Sequence, residues 1–471
     1  MDERRSPEPR PGCDEFRADQ LRHPEVLAKR ASKDERPRSR AHGPSPFEGH
    51  PADGRLRVTD YVGRAQLALT RRTLLAATAL GIAAPRAFAQ APAEVKVGLL
   101  VPLSGLYARP GSVMKMGAEM AVDHVNKAGG VKALGGAKLK LVVIDSGDTT
   151  EKAKNAAQRM VAQETDLVAA SGAYLSSFTL AVTEVTERAQ LPVLTLSYSD
   201  LITERGFKYV FQTSATAASQ ARQALPLIMK LSESASGKRP KTVAIITDNT
   251  GASIASVKPM REGLLKELGL DLVMDETFTP PLSDATPLVQ KVRSARPDLL
   301  FFLPTVISDG KLVLEKMNEF GLGQGRIPTI SFGIAIAEPD ILQTINPDLL
   351  QGVLTCVGSW ATKGHEELVK ELKTRFNEPW MTQNAISTYG DIWVIKDALE
   401  KAGKADKAAV ADTLRTMDGG PSKYYPGGLI KFDDKGRRVD AEMTVVQWQK
   451  GIPVTVFPER LAVAEPFWPK R

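Results

Sequence analysis

Val95-Lys96-Val97-Gly98-Leu99-Leu100-Val101 is an apolar run of strand length, and the stretch 113–127 after it repeats apolar residues with helical spacing until Gly129-Gly130 stops it. The same pair of signals then recurs. Runs at 139–145, 167–170 and 192–196 read as strands, with helices at 150–163 and 178–189 between them. This is the period of βαβ crossovers, which place helices on both faces of a parallel sheet. The pattern restarts further on: strands at 241–247, 271–278, 298–303 and 327–331 alternate with helices at 253–268, 287–295 and 311–320. One sheet holding all of these would be large, and chains of this length divide instead. The expectation is an α/β protein of two doubly wound lobes. Ligands bind such sheets at the carboxyl ends of the strands, so a cleft between the lobes follows from topology. The chain ends differently, with strands at 429–433 and 444–448, the turn Asp434-Lys435-Gly436 between them, and an extended piece at 453–457 that completes a hairpin.

Residues 1–69 do not share this patterning. They are rich in Arg, Pro, Asp and Glu, too polar to offset the entropy of ordering, and read as a disordered extension. At Thr70-Arg71-Arg72-Thr73 an arginine pair precedes the apolar run 74–84, which closes on Ala87-Phe88-Ala89. A basic start, an apolar middle and small residues at the end make 70–89 a signal peptide, cleaved before Gln90. The Arg pair resembles the twin-arginine export signal, with the general secretory route as the alternative. The run is too short for a stable membrane anchor. The expected location is the periplasm.

Of 62 Lys and Arg and 55 Asp and Glu, residues 1–89 hold 17 and 12, leaving the exported part nearly neutral at 45 against 43. Nucleic-acid binding thereby loses its main support. Cys356 stands alone after cleavage, so no internal disulfide can form. Two histidines, His124 and His365, are too few for a His-rich metal site. Gly321, Gly323 and Gly325 follow a helix and precede a strand, the reverse of a phosphate loop. No nucleophile elbow or triad appears, and neither catalysis nor a cofactor is expected.

Pro102-Leu103-Ser104-Gly105, Gly117-Ala118-Glu119-Met120-Ala121-Val122 and Asn126-Lys127-Ala128-Gly129-Gly130-Val131 resemble the leucine/isoleucine/valine-binding protein family. The likeness continues through 141–146, 172–177, 203–206 and 211–213 to Ile430-Lys431-Phe432-Asp433 and Val446-Gln447-Trp448. The resemblance implies a type I periplasmic binding fold whose lobes are joined by a three-segment hinge, here near 213–217, 353–357 and 428–432. Lobe 1 would hold 90–213 and 354–428, and lobe 2 would hold 214–353 and 429–471. It also implies an ABC transporter permease as partner, a monomer, and a small-molecule ligand.

Family members hold a ligand carboxylate with a serine hydroxyl and the N–H groups of a helix start, which attract anions. The matching residues here are Ser176, the favoured contact, and Ser177, with capping of the helix that follows as the less favoured alternative. The second binding loop matches Leu196-Ser197-Tyr198-Ser199-Asp200, where Ser197 would offer backbone groups and Ser199 a hydroxyl. Tyr107 and Tyr174 would wall an apolar tail, Tyr198 belongs to the second binding loop, Thr250 lies in the second-lobe loop Asp248-Asn249-Thr250-Gly251, and Phe332 would supply an aromatic wall. Two departures bear on the ligand. Amino-acid binders of the family carry an acid in the first crossing, but Thr213-Ser214-Ala215-Thr216-Ala217-Ala218 has none. They carry another after the strand that here ends Ser331-Phe332-Gly333-Ile334, and none stands there either. An ammonium group in a closed cleft needs a charged partner. The expected ligand is therefore an aromatic, keto or short aliphatic acid. A branched-chain amino acid binder and a periplasmic ligand sensor of the same fold are the alternatives.

Overall fold

The computed structural model describes residues 94–466, apart from 421, 422 and 428, together with Trp468. The N-terminal extension, the arginine pair and the cleavage triplet lie outside the described residues.

The first lobe begins with β1 (Glu94–Val101), α1 (Ala108–Lys127), β2 (Lys138–Asp145), α2 (Thr150–Gln163), β3 (Leu167–Gly172), α3 (Ser176–Arg188), β4 (Val193–Thr195) and β5 (Val210–Gln212). Its five strands are all parallel, in the order β2-β1-β3-β4-β5. Strands β1 and β3 are buried on both faces, which is why they read as continuous apolar runs and not as alternation. Two cores cover the two faces. One holds Met114, Ala118 and Val122 of α1, and the other Ala153, Met160, Phe178 and Val182 of α2 and α3.

The second lobe follows with α4 (Ala217–Ser236), β6 (Thr242–Asp248) and α5 (Gly251–Pro259). The last helix continues through a widened turn, Met260–Leu264, into the short α6 (Leu265–Glu267). Then come β7 (Asp271–Phe278), α7 (Thr286–Ala295), β8 (Leu299–Leu303), α8 (Ile307–Glu319), β9 (Thr329–Phe332) and β10 (Leu354–Val357). The chain returns to the first lobe for α9 (Glu366–Phe376), α10 (Gln383–Ala402) and α11 (Lys407–Thr416), and ends in the hairpin β11 (Thr444–Gln449) and β12 (Ile452–Phe457). Lys450 and Gly451, both at positive φ (53° and 82°), make the hairpin's two-residue turn. The second sheet has seven strands, β12-β11-β10-β9-β8-β6-β7, parallel from β7 to β10 and antiparallel at β11 and β12.

Helix α10 lies against α1 so closely that a Cβ on Gly117 would sit 2.0 Å from the Ala385 carbonyl oxygen. Only glycine admits that approach. Among the described residues, no helix is long and apolar enough to cross a membrane.

Two of the expected crossings move. Strand β10 pairs with β9 and β11, so 354–357 belongs to the second sheet and the chain leaves that lobe only at Gly358. The stretch 429–433 is not a strand of the second sheet. Phe432 makes a single bridge to Arg438, while Arg437 bridges Gln212 of β5, so this stretch borders the first sheet. The third crossing therefore falls at 439–443, just before β11. In both places a short apolar run is equally compatible with either sheet, and only the pairing partner decides.

Candidate ligand-binding cleft

A cavity of about 60 Å³ lies at the carboxyl ends of the strands of both sheets. The first lobe contributes Tyr174, Leu175 and Ser176 after β3 and Leu196, Ser197 and Tyr198 after β4. The second contributes the start of α5, the loop before α8 and the loop after β9, including Ser253, Thr305 and Phe332. Gln383, at the start of α10, completes the wall. Among the described residues, no Asp, Glu, Lys, Arg or His lines the cavity.

Helix starts dominate this wall. Helices α3, α5 and α10 each open on the cavity, and none has a side-chain cap at its first turn. Helices α1, α7, α8 and α9 also lack a side-chain cap, whereas α2, α4 and α11 are capped by Thr149, Thr216 and Asp406. Uncapped first-turn N–H groups concentrate partial positive charge at the cavity. The starts of α3 and α5 meet across the cleft: a Cβ built on Gly251 would lie 3.5 Å from Ser176 Cβ and 3.8 Å from Ser177 N. With no cationic side chain on the wall, the anion-attracting groups are backbone dipoles and hydroxyls.

Five of the nine residues singled out in the sequence line the cavity: Ser176, Ser197, Tyr174, Tyr198 and Phe332. Ser176 is buried, and its Oγ accepts a hydrogen bond from Ser199 N at 3.3 Å. The cap position of α3 falls on Leu175, so Ser176 is the first helical residue. Burial pushes the hydroxyl pKa values of Tyr174 and Tyr198 well above the usual tyrosine range, so both remain donors. Phe332 packs on Phe301, with ring centroids 5.9 Å apart.

Ser197 is a wall only. Its hydroxyl bonds Thr179 Oγ1 at 2.6 Å and the Ala173 carbonyl at 3.0 Å, while its own carbonyl accepts from Gln212 Nε2 at 2.6 Å. The backbone groups expected of it are thus already used.

The other four stand elsewhere. Ser177 is the residue after Ser176, half-buried and off the cavity wall. Ser199 is buried behind Ser176, reaching the site only through its backbone N–H. Tyr107 is a core residue, packed against Tyr174 and edge-on to Phe178 at 6.2 and 6.0 Å. Thr250 turns its hydroxyl to Asp248 Oδ1 at 2.7 Å and to Thr305 Oγ1 at 3.0 Å. Asp248 also accepts from the N–H groups of Thr250 and Thr305, so its carboxylate is occupied in holding this loop.

The residues that sequence reasoning missed are chiefly Ser253, Thr305 and Gln383. Small polar residues at loop–helix junctions are too common to single out in one sequence. The nearest acid on the loop after β9 is Glu338. It is buried, accepts from Asn384 Nδ2 at 2.9 Å, and does not line the cavity.

A family model described as periplasmic binding protein matches residues 94–452. Leu/Ile/Val-binding protein homolog 7 of Brucella melitensis is 30% identical over 386 residues, covering 80% of this chain and 94% of that protein. Among solved structures, a putative branched-chain amino acid ABC transporter protein from Silicibacter pomeroyi superposes with a TM-score of 0.68 at 19% identity, covering 80% of this chain and 99% of the other. A solute-binding protein of an ABC transporter from Rhodopseudomonas palustris, solved with 3,4-dihydroxy benzoic acid, gives 0.64 at 22% identity, covering 79% and 99%. Two parallel-rich sheets, a cleft at their carboxyl ends and a family match across both lobes agree: the chain belongs to the leucine/isoleucine/valine-binding family of type I periplasmic binding proteins.

Proposed function

We propose that this protein is the exported solute-binding component of an ABC importer, and that its cleft closes on a small carboxylic acid lacking an obligatory ammonium group. Aromatic, keto and short aliphatic acids fit that description. One observation carries the reading: uncapped helix starts from both lobes face a cavity on whose wall, among the described residues, no carboxylate, amine, guanidinium or imidazole stands. Backbone N–H groups and the Ser176 hydroxyl suit a carboxylate. An ammonium would find no carboxylate on the wall, and a buried unpaired charge costs several kcal/mol, roughly. The neighbour solved with dihydroxybenzoate supports an acid of this kind within the fold, while the names of the curated relatives support a branched-chain amino acid.

A thermal-shift screen of the purified protein separates the two. A ligand at a hundred times its dissociation constant stabilises by about 2.7 kcal/mol. Deaminated or aromatic acids are expected to raise the melting temperature, and leucine, isoleucine and valine to leave it unchanged. Stabilisation by the amino acids alone would overturn the reading.

A further inference from the structure

Gln383 is almost fully buried, opens α10 and lines the cavity. Its Oε1 accepts hydrogen bonds from Gly358 N at 3.0 Å and from the Tyr198 hydroxyl. Gly358 N also lies 3.0 Å from Tyr198 Oη. A backbone N–H can only donate, so the carboxamide atom facing it has to be oxygen. The amide orientation is thus dictated by its surroundings, and Nε2 is turned away from Gly358. Among the described residues Nε2 has no acceptor, and it is not one of the sealed polar atoms left without a partner. Gln383 lines the cavity, and Nε2, neither sealed nor paired, is the donor it can offer there.

Gly358 keeps this arrangement in place. It stands where the chain leaves β10 for the first lobe, and a Cβ there would come within 2.9 Å of Ser214 Cβ and 3.2 Å of Tyr198 Cε1. The carboxamide is therefore pinned to a crossing between the lobes and cannot turn over without losing both donors.

We propose that Gln383 is a specificity-determining ligand contact, whose Nε2 donors receive a second acceptor oxygen on the acid, a 2-oxo or hydroxyl oxygen. The inference rests on the reading of the ligand as a carboxylate without ammonium and deepens it. A keto oxygen is an acceptor only, and it matches Nε2. An ammonium presents only donors, so donor faces donor and both stay unpaired in a closed cleft. An acid lacking the second oxygen leaves Nε2 unsatisfied, and sites built around a hydrogen bond discriminate strongly against analogues lacking it.

Calorimetric titration of the full chain with two matched sets of ligands tests this. One set is 4-methyl-2-oxopentanoate, 4-methylpentanoate and leucine; the other is phenylpyruvate, 3-phenylpropanoate and phenylalanine. The 2-oxo acid of at least one set is expected to bind about tenfold tighter than its counterpart without the oxo group, the scale of one hydrogen bond to a buried donor. Gln383→Glu keeps an oxygen toward Gly358 and Tyr198 but replaces the Nε2 donors by an acceptor. It is expected to erase the oxo preference and to bind the amino acid better than the wild type does. Gln383→Met, of similar volume and without donors, is expected to bind both acids alike. Equal binding of the oxo and plain acids by the wild type overturns the role of Gln383 and leaves the carboxylate reading standing, and that ratio needs no variant to fold. Preference for the amino acids overturns both, and no binding in either set overturns the role of Gln383.

Discussion

Arg109 joins the two lobes through Asp340. Its Nε meets the Asp340 carboxylate, while its two terminal nitrogens each lie 2.8 Å from an oxygen of Glu378. Arg109 belongs to α1 of the first lobe. Asp340 belongs to the turn Pro339–Gln343 after β9, anchored by Ile341 in the core of the second. A pair spanning both lobes exists only while they are together.

Asp340→Asn should therefore favour the open form without touching the cavity. Affinity for whichever acid binds should fall about threefold to tenfold, the worth of a partly exposed charge-assisted hydrogen bond. The loss should appear in the dissociation rate. Distances between spin labels on the two lobes, with and without ligand, check it. An unchanged distance distribution together with an unchanged affinity would sink the idea.

Glu338 sets a pH dependence. Burial pushes its carboxyl up to about 8, reinforced by Asp340 and Glu378 and opposed by Arg109, with Asn384 donating to it. A carboxyl whose folded-state value is raised binds its proton more readily in the folded protein. Its contribution to stability is therefore present at low pH and is lost as pH rises through about 8. Asp391, also buried and pushed up to about 6, acts in the same sense, so a variant is needed to isolate Glu338. The melting temperature of Glu338→Gln, relative to wild type, should rise progressively between about pH 5 and pH 8, the interval between the ordinary glutamate value of 4.5 and the folded-state value of about 8. A difference that stays flat across that interval contradicts the assignment.

Gly251 is the point at which α5 faces the first lobe. The atoms that a Cβ there would meet within 4 Å are those of Ser176 and Ser177, both in the opposite lobe. A bulky side chain should thus obstruct closure while leaving each lobe intact. Gly251→Leu is expected to lose ligand stabilisation in a thermal shift and to melt, without ligand, within a few degrees of wild type, since helix propensity favours leucine over glycine by under about 1 kcal/mol. Retained ligand stabilisation would show that the helix starts do not meet in the closed form.

The strands and helices of both sheets were largely legible because their signals are local. The runs read at 95–101, 139–145 and 271–278 are the strands β1, β2 and β7, give or take a residue. The stretch 383–402 was not legible. Helix α10 buries Ile386 and Tyr389 against one neighbour and Asp391 against others, so no amphipathic stripe marks it. Gln383 was hidden with it. Thr250 illustrates the reverse error: a hydroxyl placed correctly in a cleft loop is taken by Asp248.

From the sequence alone came the succession of β and α units and the split into two lobes, while the serine at the start of α3 came from the family resemblance. Apolar period, glycine stops and residue chemistry are written along the chain and need no distant partner. The crossings, the head-to-head meeting of α3 and α5, and the amide of Gln383 held by Gly358 and Tyr198 were decided only by tertiary structure. Each depends on atoms far apart in sequence, Gln383 and Tyr198 by 185 positions. Which hydroxyl or amide is left free for a ligand is a matter of which others have already found partners.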